Sequence, residues 1–373
     1  MKVIFFANTD WYLHNFRRNL AEALRHHGHD LLLVSPPGPY AERLVQAGFR
    51  WQPLLLDRQG NNPLKDLGAI YRIYRLYRQE KPDLVHHFTI KCVLYGSFAA
   101  RLSGVPSVIN SITGLGHVFN TRSGKTRWMR GLAAGMYRLA LPGSQVIFQN
   151  QDNLDAFVRM NLVRPEQCHI IRGSGVDLTQ FSPVTEPGGT PLVILPARML
   201  REKGISEFVQ AARLLKSRGV TARFALVGDC DPGNPSSYTE EEICAWQDEK
   251  VIEWWGWRED MSNVYAQSNV VCLPSFGEGV PRTLIEAAAS QRAIVTTDVP
   301  GCREIVQHTV NGYLVPLGNI EALADALQEL LAQPALRAQM AHNGRTIAEQ
   351  FFSSPTVVSQ TFDIYTQSSG GSL

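Results

Sequence analysis

The sequence predicts an α/β protein of two doubly wound, Rossmann-like domains with a cleft between them. Three observations carry this. Strand-length apolar runs alternate with amphipathic helical runs from Met1; a stretch without periodicity, "SPVTEPGGT" at 182–190, interrupts them; and the same alternation then restarts. At 373 residues the chain has room for two full cores.

In the first half "KVIFFA" reads as a strand, "LHNFRRNLAEALRHHG" as a helix, "DLLLVS" as a strand and "YAERLVQAG" as a helix. "DLVHHF", "SVINSI" and "QVIFQN" continue the strands. Apolar runs of this kind suit parallel strands covered on both faces. In the second half "PLVILPA", "RFALVG", "KVIEWWG", "VVCLPS" and "AIVTTD" read as strands, with "SEFVQAARLLKSRG" and "VPRTLIEAAAS" as helices between them. The tail "NIEALADALQELLAQPALRAQMAHNGRTIAEQFF" reads as mostly helical, and "PTVVSQTFDIYTQ" as a last helix. The expected division is 1–183, 184–350 and a C-terminal helical segment, 351–373, that packs back on the first domain. Ligands of open α/β sheets bind beyond the carboxyl ends of the strands, so the loops there are the places to search.

Composition excludes several classes. With 44% hydrophobic and 19% charged residues the chain is an ordinary globular mix, and a net charge of +2 does not suit a nucleic-acid binder. Six scattered cysteines show no zinc spacing and read as reduced thiols of a cytoplasmic protein. "MKVIFFANTD" is too short for a signal-peptide core, and no apolar run reaches the ~18 residues of a membrane span. "ANTDWY" after the first strand lacks GxGxxG, which argues against a dinucleotide oxidoreductase.

The stretch "FGEGVPRTLIEAAA", 276–289, sets Glu278 in a loop and Glu286 on the following helix, with Pro281 fitting that helix's first turn. A helix start attracts phosphate, whereas a carboxylate beside it favours hydroxyl donors. The pattern therefore suits a ligand with phosphates at its centre and hydroxyl-rich rings on either side. The competing reading has Glu278 as a helix cap and Glu286 on a solvated face.

With seven residues between its two glutamates, "PSFGEGVPRTLIEAAA", followed by "VTTDVPGCREIV" and "NGYLVP", resembles the donor-binding signature of the family 4 retaining glycosyltransferases of GT-B fold. "WYLHNFRRNLAEALRHHGHDLLLVSPPG", "HHFTIK", "NSITGLGHVF", "RGSGVD" and "ARMLREKG" resemble the branch that builds capsule, O-antigen and related glycans on polyprenyl-diphosphate carriers.

The resemblance implies roles. Arg198 and Lys203 would hold the donor diphosphate and neutralise the leaving nucleotide without a metal, at about 1.5–3 kcal/mol each. Glu278 would hold hydroxyls of the donor sugar, and Glu286 those of the ribose. Gly279, Val280, Pro281, Arg282, Thr283 and Leu284 would surround the phosphates, with amides around Gly279, Val280 and Thr283 facing them. Trp257, beside Arg258, lies where the base docks, with a core tryptophan as the competing reading. Asn8, Thr113, Gly114, His87 and His117 are the candidates for the acceptor side of the cleft; Thr113 stands where many members carry a histidine. Asp229 and Asp231 match a DxD metal motif of a different fold, and read here as a turn.

The implied activity is transfer of a sugar from a UDP-sugar to a polyprenyl-diphosphate-linked glycan, with retention and without a cofactor or metal. The alternatives are a nucleotide-sugar epimerase and an inactive partner subunit that binds sugar nucleotides. "IYRIYRLYRQEK" places Arg72, Arg75 and Arg78 among Tyr71, Tyr74 and Tyr77, and "FNTRSGKTRWMRG" sets Arg122, Lys125, Arg127 and Arg130 around Trp128. Such segments suit contact with the cytoplasmic face of an anionic membrane; an ordinary helix with solvated arginines is the competing reading.

Overall fold

The computed structural model describes residues 1–56, 63–114 and 124–371. His117 and Arg122 lie outside the described residues, as do the side chains of Lys125, Arg127, Trp128 and Arg130. The chain divides into two compact units, Met1–Gly175 joined by Ser354–Leu373, and Val176–Ser353. Residues 176–183 and 351–353 thus go with the second unit.

In the first unit the strands are β1 (Lys2–Phe6), β2 (Asp30–Ser35), β3 (Arg50–Pro53), β4 (Leu84–Phe88), β5 (Ser107–Ile112), β6 (Gln145–Phe148) and β7 (Cys168–Ile170). They form a parallel sheet in the order β3-β2-β1-β4-β5-β6-β7. Side chains alternate between faces along each strand. Accordingly Ile4 and Phe6 join one hydrophobic cluster, and Val3 and Phe5 the other.

The second unit repeats the plan. Its strands β8 (Leu192–Pro196), β9 (Arg223–Val227), β10 (Glu253–Trp254), β11 (Val270–Leu273), β12 (Ala293–Thr297) and β13 (Gly312–Val315) run parallel in the order β10-β9-β8-β11-β12-β13. The two sheets therefore reverse strand order at matching places, between β1 and β4 and between β8 and β11. β3, β7 and β13 were not among the strands expected from sequence, and β10 is two residues long where seven were read.

The first predicted helix is not continuous. Thr9 caps a short turn, Asp10–Tyr12, by accepting from the Tyr12 amide at 3.0 Å. A wide π turn, Leu13–Arg17, follows before the regular helix Arg18–His26. The extra residue of a π turn re-aims a side chain, and Arg17 is left only 6% exposed.

The last helix, Ser354–Ser368, belongs to the first unit. Val357, Ile364 and Tyr365 enter the cluster of Phe5 and Leu20, and the Tyr365 hydroxyl lies 2.5 Å from His86 Nδ1.

The second histidine of β4 points to the opposite face. His87 lies between the Tyr77 hydroxyl, 2.9 Å from Nε2, and Asn110 Oδ1, 2.9 Å from Nδ1. A Cβ on Gly96 would stand 2.6 Å from its ring. Burial pushes His87 down to about 4, against a smaller opposing effect of the Asn110 bond. The unfolded chain, with a histidine near 6.5, therefore binds the proton first. This site's stability is present above pH 6.5 and is lost as pH falls toward 4, at up to about 1.4 kcal/mol per unit. Urea denaturation at pH 7.5, 6 and 5 should show the decline, and His87→Gln should make it shallower, leaving the share of the equally buried His86; equal slopes in the two proteins would exclude His87 as a cause.

Candidate functional site

The loops after β8 and β11 leave the second sheet where its strand order reverses, the place at which such sheets open a crevice. They are fastened to each other. The Phe276 amide and the Ser275 hydroxyl both donate to the Glu202 carbonyl, at 2.9 and 3.0 Å. Gly204 closes the first loop at φ 74, and a Cβ there would stand 2.1 Å from the Pro274 carbonyl oxygen. Glycine is required on both counts.

Two further contacts hold the 275–280 turn from behind. Thr297 Oγ1 donates to the Ser275 carbonyl. Gly301 packs so closely that a Cβ would lie 2.2 Å from the Gly279 oxygen and 2.6 Å from the Glu278 oxygen. Thr283 Oγ1 donates to the Pro196 carbonyl at 2.9 Å, which ties the following helix to the end of β8.

This framework brings two expected residues, Lys203 and Glu278, into contact. Lys203 Nζ sits 2.6 Å from Glu278 Oε1, both side chains mostly buried. Arg198 is more open, and its Nη1 meets Asp231 Oδ2 at 2.7 Å. Asn234 also donates to Asp231, at 3.2 Å, while the Asp231 amide donates to Ser237 Oγ. Asp231 thus does sit in a turn, as expected, and the turn has a partner. Among the described residues no group of three His, Cys, Asp or Glu side chains comes together that could hold a metal.

The helix beyond the turn spans Arg282–Ala289. Pro281 is its N-cap, with ψ 117, and so stands one position before the first turn in which the sequence placed it. The first amides of a helix lack intrahelical acceptors. Val280 and Leu284 point into the core, leaving only their main chains for a ligand.

Glu286 is 7% exposed, which overturns the solvated-face alternative. Arg282 Nε grips Oε1 at 2.6 Å, and the Tyr265 hydroxyl donates to Oε2 at 3.1 Å. Burial first, then the Glu286 charge, pushes the Tyr265 hydroxyl well up, so it stays a donor. The sequence reading missed Tyr265, Gly204 and Gly301; the glycine of "DVPGCREIV" was the visible signal for the last.

Trp257 is 47% exposed rather than in the core, beside an Arg258 that holds Asp260 through two bonds of 2.8 and 2.7 Å. In the first unit Asn8 follows β1, and Thr113 and Gly114 follow β5, all partly exposed at carboxyl ends of strands. His87 is fully buried in the network already described, so the expectation that it faces a cleft is corrected. Tyr77 is core as well, hence the helix Pro63–Glu80 shows Arg72, Arg75 and Arg78 outward but not all three tyrosines.

Comparison with known proteins follows the same division. A family model described as "Glycosyl transferases group 1" matches residues 190–333, and one described as "Glycosyl transferase 4-like" matches 2–151. The chain is 25% identical over 365 residues to the N,N'-diacetylbacillosaminyl-diphospho-undecaprenol alpha-1,3-N-acetylgalactosaminyltransferase of Campylobacter jejuni, covering 94% of this chain and 95% of that one. It is 25% identical over 318 residues to the UDP-Gal:alpha-D-GlcNAc-diphosphoundecaprenol alpha-1,3-galactosyltransferase of Escherichia coli, covering 81% and 80%. Among solved structures, Anabaena Alr3699/HepE in complex with UDP superposes with a TM-score of 0.80 at 20% identity, covering 98% of this chain and 100% of that chain.

Proposed function

The chain belongs to the glycosyltransferases, of GT-B fold, with its group 1 and 4-like parts in separate units, and from that premise we propose that it moves a sugar from a UDP-sugar to a sugar carried on polyprenyl diphosphate, with retention of configuration. The relatives' names support the acceptor class, and the name of the Escherichia coli relative also specifies a UDP-linked donor.

One observation carries the chemistry: Lys203 and Glu278 reach each other at 2.6 Å from the two loops of the strand-order reversal. Departure of a nucleoside diphosphate builds negative charge on its oxygens. Lys203, Arg198 and the start of the Arg282–Ala289 helix would stabilise that charge more in the transition state than in the bound donor. Glu278 would orient donor-sugar hydroxyls, and Glu286, already fixed by Arg282 and Tyr265, would accept from the ribose. The acceptor hydroxyl attacks from the face the leaving group vacates, passing its proton to a donor phosphate oxygen. The glycosidic bond to the acceptor forms as the bond to the diphosphate breaks, so no protein nucleophile is needed.

Each cation has a carboxylate partner, Glu278 for Lys203 and Asp231 for Arg198, so donor phosphates would compete with these carboxylates for them. Because these cations carry the charge, EDTA is expected to leave the transfer rate unchanged; an EDTA-sensitive rate restored by Mg²⁺ or Mn²⁺ would overturn that point. Contact with a membrane surface is proposed through the outward Arg72, Arg75 and Arg78, each worth about 1 kcal/mol near anionic lipid. Among the described residues no helix is long and apolar enough to cross a membrane.

Transfer assays that pair UDP-sugars with synthetic lipid-diphosphate-linked sugars test the reading. Product that forms only when both are present supports it. A new sugar isomer from donor alone would favour an epimerase, and tight donor binding without turnover across the acceptors would favour an inactive partner subunit.

A further inference from the structure

The first unit holds a buried positive charge that the transfer mechanism does not use. Arg17, turned inward by the π turn, is 94% buried by its 6% exposure. Its guanidinium lies over the Phe88 ring at 4.4 Å and the Tyr12 ring at 5.4 Å, and Nη2 donates to the Tyr12 hydroxyl at 2.7 Å. Among the described residues no carboxylate pairs with it, and its buried Nε has no hydrogen-bond partner. A buried cation lacking a counter-charge costs several kcal/mol, and a missing bond to a charged donor adds to this.

Arg17 borders a cavity of about 10 Å³ that His86, Ser111, Gln149, Gly173 and Thr361 also line. Ser111 is near the end of β5, Gln149 directly follows β6 and Gly173 follows β7, so the cavity lies at carboxyl ends of the first sheet. His86 cannot supply the missing negative charge. Its nitrogens are engaged by Tyr365 and Ser111, at 2.5 and 2.7 Å, and burial together with the Arg17 charge holds it neutral. One cation, Arg17, the hydroxyl-bearing Ser111 and Thr361, the Gln149 amide and the apolar Ile147 and Ile171 thus border the space, which has room for one oxygen-sized atom.

We propose that this cavity is an oxyanion subsite: it takes one oxygen of a diphosphate, bound by Arg17 Nε, with the rest of the group held outside the mouth. If the transfer reading above is right, the diphosphate is that of the lipid-linked acceptor. The chemistry alone would equally admit the diphosphate of a nucleotide, and the two sources are separable.

Inorganic pyrophosphate is the probe, with full-length protein and thermal denaturation as the readout. In the Arg198→Ala, Lys203→Ala chain, which lacks the phosphate grip proposed for the second unit, pyrophosphate at 100 times its Kd should still raise Tm by a few degrees. Adding Arg17→Gln should abolish the shift, and Arg17→Lys, which keeps the charge but loses Nε, should weaken binding at least about tenfold. With Arg198 and Lys203 intact, Arg17→Gln should leave the UDP-induced shift unchanged and raise KM for a lipid-diphosphate acceptor at least about tenfold. Loss of the UDP shift instead would assign the subsite to the nucleotide.

A pyrophosphate shift that survives Arg17→Gln overturns the proposal. So does the absence of any shift in the Arg198→Ala, Lys203→Ala chain, a measurement that leaves Arg17 untouched and stands even if the Arg17 variants fail to fold. A crystal structure grown with pyrophosphate in which Nε bonds only water overturns it too. Failure of the second-unit reading looks different: Arg198→Ala and Lys203→Ala would then retain normal turnover, whatever Arg17 does.

Discussion

Lys203→Ala is expected to lower kcat by about 10²- to 10³-fold with saturating donor. That is the loss typical when a preorganised donor to a developing oxyanion is removed, about 2.7–4 kcal/mol. Stability should fall far less. The Lys203–Glu278 pair is 21% and 11% exposed, so Glu278 keeps some water when its partner goes, and the cost stays below the 3–5 kcal/mol of a fully buried pair. Arg198→Ala separates the two quantities better. Its pair with Asp231 is 53% and 33% exposed, a setting in which an ion pair contributes about 0–1 kcal/mol. A large rate loss at nearly unchanged Tm is expected there. Steady-state kinetics beside thermal denaturation decide: near-normal kcat in both variants would remove the electrostatic mechanism.

Gly301→Ala should lower kcat/KM by about 10²-fold although residue 301 contacts no proposed ligand. The added methyl would meet the Gly279 and Glu278 carbonyl oxygens at 2.2 and 2.6 Å. These are backbone atoms and cannot rotate aside, so the turn carrying Glu278 must move by the better part of an ångström. A misplacement of about 1 Å is enough for a hundredfold loss, and overpacking should cost about 1–3 kcal/mol of stability. Gly318→Ala is the control. Gly318 has φ 73 with open space around its would-be Cβ, so strain of about 1 kcal/mol is expected there with no change in rate. Equal rates for wild type and Gly301→Ala would show that the turn is not held as described.

What the sequence made legible follows from burial. β1, β8 and β11 are interior strands, covered on both faces, and appear as nearly unbroken apolar runs. β3, β7 and β13 are edge strands. Of these "RWQP" and "CHI" have no buried position, so no apolar run marked either. Glu278, Arg198 and Lys203 could be found because their motifs are local and adjacent to strand ends. The burial of Glu286 could not, because it depends on Tyr265, 21 positions earlier in the chain. Nor could the surroundings of His87: in a strand covered on both faces either neighbour of a histidine pair is interior, and only the partners Tyr77 and Asn110 show it.

The return of the Ser354–Ser368 helix to the first unit has a consequence for the order of synthesis. His86 and Tyr365 are 279 positions apart, so a nascent chain of 175 residues still lacks the helix whose Val357, Ile364 and Tyr365 complete the cluster of Phe5, Ile109 and Ile147 on one sheet face. The Val176–Ser353 segment, being continuous, is free to fold as soon as it emerges. The part of the protein made first is therefore finished last, and chaperones that shield apolar surface during translation would be expected to act on it.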